Sequence, residues 1–160
     1  MTIDRRGLIL SGLVFLASLQ GAAGQGSNDP KAFLARIYGA YVGADSKGYD
    51  WRSTRSAGRT FSPDTARLIA RDLRESKGEV GRIGADPLID GQDWEIAAAP
   101  GITVEATGPD TARARVALVN LGKAQTIVHD LVRTPAGWRI HDIRWECAKE
   151  SFRDLLRKPL

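Results

Sequence analysis

The stretch that most constrains this chain is Gln125–Glu146, QTIVHDLVRTPAGWRIHDIRWE. Two runs rich in Val, Ile, Leu and Trp flank Thr134-Pro135-Ala136-Gly137, a turn signal, and so predict an antiparallel hairpin. If Arg133 and Trp138 close the turn, counting back pairs Val132 with Arg139, Leu131 with Ile140, Asp130 with His141 and His129 with Asp142. The two histidines of the protein then each face an aspartate. The two pairs point to opposite faces, because side chains alternate along a strand.

Upstream, Ile102 to Leu121 alternates in the same way. A short turn at Gly108-Pro109-Asp110 sets Glu105 opposite Arg113 and Val104 opposite Ala114, matching charge to countercharge and apolar to apolar. A turn at Gly122-Lys123 sets Val116 opposite His129, Leu118 opposite Ile127 and Arg115 opposite Asp130. The sum is a four-stranded antiparallel meander. One face collects Ile102, Val104, Val116, Ile127, Leu131 and Ile140 with His129 and Asp142, and reads as the core side. The other carries Arg113, Arg115, Asp130, Arg139 and His141 beside Val119, Val128, Val132 and Ile143.

Helices must cover the apolar face. Asp29-Pro30 is a cap followed by proline in the first turn, and Phe33, Leu34, Ile37, Tyr38, Tyr41 and Val42 form a stripe that ends near Gly43. Ser62-Pro63-Asp64 starts a second helix with Ala66, Ile69, Ala70 and Leu73 on its buried side and Asp72 among the solvated residues. Ser151 and Asp154 have capping-box spacing for a short C-terminal helix. Between the first two helices, residues 44–61 read as a long loop pinned by Trp51. The fold class is therefore α+β: N-terminal helices packed on a curved four-stranded meander, with a short C-terminal helix.

The N-terminus carries a leader pattern. Arg5-Arg6, an apolar run from Leu8 to Leu19 and the small residues Gly21 to Gly24 predict a cleaved signal peptide over 1–24, a linker over 25–28 and one domain over 29–160. The apolar run is shorter than the roughly 20 residues of a membrane span, so no permanent anchor is expected, and the mature chain is expected to be periplasmic or secreted. Cys147 is the single cysteine, which leaves nothing for it to pair with inside the chain.

Composition narrows the function classes. The net charge of +4 and pI near 9.5 come from 23 Lys and Arg set among 19 carboxylates. No dense basic run gathers them, which argues against a nucleic-acid partner. Asp86, Asp90 and Asp93 surround Gly91, but the alternate acidic ligands and closing glutamate of a calcium loop are missing, so the segment reads as a turn with Trp94 beside it. Neither a metal site, a cofactor fingerprint nor a nucleophile motif is present in the sequence.

Three readings remain. The first is a non-catalytic binding module for an envelope protein or small ligand, drawing on Trp51, Asp86, Asp90, Asp93, Trp94, Arg115, Asp130 and His141. The second is an acid/base enzyme of hydrolase or isomerase type, in which Asp142 orients His129 as general base. The third is an assembly protein forming a homodimer through Val128, Ile143 and Trp145 on the outer sheet face.

"DPLIDGQDWEI" from Asp86 to Ile96, "HDLV" from His129, "GWRIHDI" from Gly137 and the closing "SFRDLL" from Ser151 resemble a domain-of-unknown-function family of small exported bacterial proteins (3828 type). The arrangement is also similar to the nuclear-transport-factor-2-like, cystatin-like architecture. The resemblance implies a cone-shaped sheet wrapped around a long helix, with a pocket at its open end, and carries over no catalytic set.

Overall fold

A computed structural model describes residues 28–160, so the expected leader over 1–24 and all but the last residue of the linker lie outside the described residues. The elements run α1 (Pro30–Tyr38), a 3-10 turn (Gly39–Tyr41), α2 (Thr54–Thr60), α3 (Pro63–Glu75), β1 (Gly101–Gly108), β2 (Thr111–Asn120), β3 (Lys123–Thr134), β4 (Gly137–Trp145) and α4 (Phe152–Arg157). The strands form one antiparallel sheet in sequential order. The class is α+β, as the alternation and the helix caps predict.

Each expected helix begins at the residue that its sequence marks. Asp29 accepts from the Lys31 N–H at 2.9 Å with Pro30 in the first turn. Ser62 caps α3, and Ser151 with Asp154 closes a reciprocal capping box on α4. These caps satisfy N–H groups that the first helical turn leaves unpaired. Helix α1 buries Phe33, Leu34, Ile37 and Tyr38, and the 3-10 turn adds Tyr41. Gly43 takes φ +96°, a left-handed conformation open to glycine at little cost, and donates to Ile96 O at 3.0 Å, which turns the chain off the helix axis.

Two expectations about the helical half are corrected. Residues 44–61 are not a continuous loop, because Ser53 caps the short helix α2 inside them. Trp51 does pin the segment: it is buried and lies edge-on to Phe152 with centroids 5.9 Å apart. Helix α3 is rolled from the expected face, burying Thr65, Ile69 and Asp72 and leaving Leu73 38% exposed. The cause is the segment after α3, which folds back on it. Asp72 accepts from the Arg82 N–H at 2.8 Å, pairs with the Arg82 guanidinium at 3.1 Å and with Arg52 at 3.5 Å. A buried carboxylate with these partners is better placed inside than leucine at that angle.

The β1–β2 register is the one expected, with Glu105 opposite Arg113 and Val104 opposite Ala114. Between β2 and β3 the register is slipped by two residues from the expectation: Val116 faces Ile127, Arg113 faces Asp130, and Arg115 faces Val128. A slip of two keeps every side chain on its face, so Val116 is on the core side as foreseen, and Ala112, Ala114 and Leu118 are buried in alternation with it. In the β3–β4 hairpin the pairs Arg133–Trp138, Val132–Arg139 and Leu131–Ile140 hold. A bulge then follows, and Asp130 faces Asp142 while His129 faces Ile143. His141 is the extra residue. One extra residue exchanges the faces of all that follow, so Ile143 is fully buried on the core side instead of lying on the outer face. Trp145 turns the same way and donates to Pro87 O at 3.0 Å.

Candidate functional site

The bulge decides the fate of the expected His129–Asp142 pair. His129 is fully buried on the core face and its Nε2 lies 2.8 Å from the Tyr38 hydroxyl. That hydroxyl has one proton and donates it to Leu88 O at 2.8 Å, so it accepts from His129 Nε2–H. The remaining Nδ1 has no partner. Burial pushes the imidazole down to about 3, opposed by the Asp130 charge, and the ring is neutral at physiological pH. Asp142 is elsewhere: its Oδ1 accepts from the N–H groups of Ile143 at 2.9 Å and Arg153 at 3.0 Å. The carboxylate anchors the start of α4 to β4, and the structure does not bring the two residues together.

Asp86 is the aspartate that does meet the aromatic core. Its Oδ2 accepts from the Tyr41 hydroxyl at 2.6 Å, and its Oδ1 from the Leu88 N–H at 2.9 Å. Burial raises the carboxyl to about 6, against those two hydrogen bonds, which favour the ionised form. Tyr41 and Tyr38 are held well above the usual phenol range, first by burial and then by the charge of Asp86. Tyr41 in turn meets Trp94 edge-on at 5.6 Å. Trp94 donates to Ser46 Oγ at 2.8 Å and lies on Gly48, where a Cβ would come within 2.8 Å of the indole.

Trp94 leads into the open part of the molecule. The strap between it and β1 is held by Glu95 N–H to Asn120 Oδ1 at 2.9 Å, by Leu121 N–H to Glu95 O at 3.2 Å and by a parallel bridge of Ile96 to Val42. Two clefts of about 570 Å³ each adjoin it and share Glu95 and Ala97. The first runs between Ala97–Pro100 and the ends of β2 and β3, and reaches Gln125 and Glu146. The second is bounded by Gly43, Ser46, Asp93, Trp94 and Leu121. The two clefts border the strap on either side, a trough in two halves, with Val119 and Leu121 more than half exposed at its edge. Each half lies within the range of small-ligand sites, about 300 to 1,000 Å³.

The other expected binding residues are scattered. Trp51 is in the core. Asp90 is an exposed turn residue with φ +47°. Asp130 pairs with Arg113 at 2.8 Å and Arg144 at 2.5 Å, not with Arg115 or His141. His141 instead places Nδ1 3.1 Å from Ser62 Oγ and 3.4 Å from the Arg153 guanidinium; burial and then the Arg153 charge lower its pKa. Asp130 and His141 do border a smaller cleft of about 320 Å³ beside Arg113. Tyr38, Tyr41, Glu95, Gln125 and Glu146 were not read as site residues from the sequence; the groups that the fold sets beside them lie far away along the chain, where no local spacing points to them.

No family model matches the chain. No curated protein matches it either. A solved structure with some likeness is a phospholipid-binding protein from Ralstonia solanacearum, captured with a phospholipid; it shares 15% identity and a TM-score of 0.32 over 54% of this chain and 46% of that one. This chain thus matches less than half of that protein's length, and a likeness this distant fixes neither fold nor ligand. Among the described residues, no group of three or more His, Cys, Asp or Glu could hold a metal ion, and no helix is long and apolar enough to cross a membrane.

Proposed function

We propose that this chain is a non-catalytic binding module that takes a small ligand into the trough around the Trp94–Pro100 strap. The observation that carries the reading is the contrast between two places. The core-face histidine is sealed, neutral and bonded to Tyr38, whereas the strap is flanked on both sides by open clefts, the first of them walled mainly by apolar side chains. General base catalysis needs a base within reach of a substrate proton, and His129 has no exposed surface from which to reach one.

The leader pattern over 1–24 supports export to the periplasm, and helices preceding a four-stranded meander support the likeness to nuclear-transport-factor-2-like domains of small exported bacterial proteins. A homodimer through the outer sheet face has less support, since of Val128, Ile143 and Trp145 only Val128 lies there.

A neutral solvatochromic dye, Nile red, tests the trough. The purified protein is expected to enhance and blue-shift its emission, and Ala97→Arg, which places a charged chain at a residue that both clefts share, to abolish the change while leaving the far-ultraviolet circular dichroism intact. Equal dye response from both proteins would refute the assignment. Fractionation of expressing cells, with the full-length and leader-deleted chains compared, tests export.

A further inference from the structure

The trough has a chemical sign, and the inference drawn from it rests on the binding reading above. On the side between the strap and the strand ends, the walls are apolar and mostly methyl-sized: Ala97, Ala99, Pro100, Ala117, Leu118 and Val119. The side-chain groups that can carry charge there are two carboxylates, Glu95 and Glu146, and no lysine or arginine borders this side. Neither glutamate is in a salt bridge with another described residue.

An apolar wall and two carboxylates with no cationic side chain beside them recognise one class of molecule. We propose that the trough binds a small amphiphilic organic cation, of the alkylammonium kind, whose hydrocarbon part lies along the alanine wall. Its ammonium protons serve the carboxylates of Glu95 and Glu146. The protein's net charge of +4 opposes such a ligand at long range. Exposed charges farther apart than about 8 Å are largely screened at physiological salt, however, so the local acids dominate once the ligand is seated.

Calorimetric titration of the purified protein with octylammonium chloride, octan-1-ol and sodium octanoate, each below its aggregation threshold, separates the possibilities. Octylammonium is expected to bind at least ten-fold more tightly than the other two. Glu95→Gln with Glu146→Gln should erase that preference and leave octanol binding unchanged, and Ala117→Trp, which fills the wall, should weaken all three. Circular dichroism checks that each variant is folded. Octanoate or octanol binding as tightly as octylammonium would overturn the cation assignment and leave the trough as a binding site. No binding by any of the three would overturn the cation assignment and count against the binding reading as well.

Discussion

Replacing Asp86 by asparagine probes a buried acid whose titration is opposed by that of a buried base. Burial lifts the Asp86 carboxyl to about 6 from 3.8, so the folded chain holds this proton more tightly than the unfolded chain does. The stability it contributes is complete below about pH 4 and is lost as pH rises to about 6. At about 1.4 kcal/mol per pKa unit, the loss is about 3 kcal/mol. His129 has the opposite sign. Its imidazole is pushed down to about 3 from 6.5, so the unfolded chain takes the proton first and stability falls as pH drops below about 6.5, with the same slope. Between about pH 6 and pH 4 the two contributions cancel, and the protein's stability should change little on their account. Asp86→Asn removes one side of the balance. Relative to the unaltered protein, the variant should lose about 3 kcal/mol on going from about pH 6 to about pH 4. Urea unfolding followed by tryptophan fluorescence at a series of pH values measures this directly. A stability difference that stays constant across the series would refute the reasoning, because it would mean that Asp86 titrates in the folded protein as it does in water. His129→Gln should give the mirror image, gaining stability relative to the unaltered protein as pH falls through the same interval.

Two further substitutions test placements that the sequence did not foresee. Gly81→Ala would put a Cβ 2.3 Å from Asp72 Oδ2, and backbone beside a buried ion pair cannot easily retreat, so thermal unfolding should show a loss of about 1–3 kcal/mol. Asp142→Ala removes the acceptor for two backbone N–H groups at the β4–α4 junction. A cost of about 1–2 kcal/mol, with faster amide exchange at Ile143 and Arg153 and Nile red binding unchanged, is the expected outcome; a lost dye response would point to a role for Asp142 beyond anchoring α4.

What could be read from the sequence was what local chemistry dictates. Asp29-Pro30, Ser62-Pro63 and Ser151 with Asp154 mark helix starts because capping acts over two or three residues. Glu105 opposite Arg113 fixed the first register because two kinds of complementarity agreed on one alignment. The β2–β3 register had no such agreement, and a slip of two is invisible to an argument from faces alone. The bulge at His141 was not legible, since its reasons are tertiary: Asp142 is needed at the first turn of α4, and Ile143 and Trp145 are needed inside. The site was hidden for a similar reason. Tyr41 and Asp86 are far apart in sequence, and Glu95, Gln125 and Glu146 come from three segments that only the folded sheet brings to one trough.

The surplus position in β4 also has a consequence for how this strand can change. Shortening the chain by the one residue His141 would let Asp142 follow Ile140 directly and leave Asp142 opposite Asp130, Ile143 opposite His129 and Trp145 opposite Ile127 in a regular ladder, with Ile143 and Trp145 still on the core side. Removal of His141 should therefore spare the pairing of the rest of the strand and cost what the residue itself holds, its contacts with Ser62, Thr65 and Arg153.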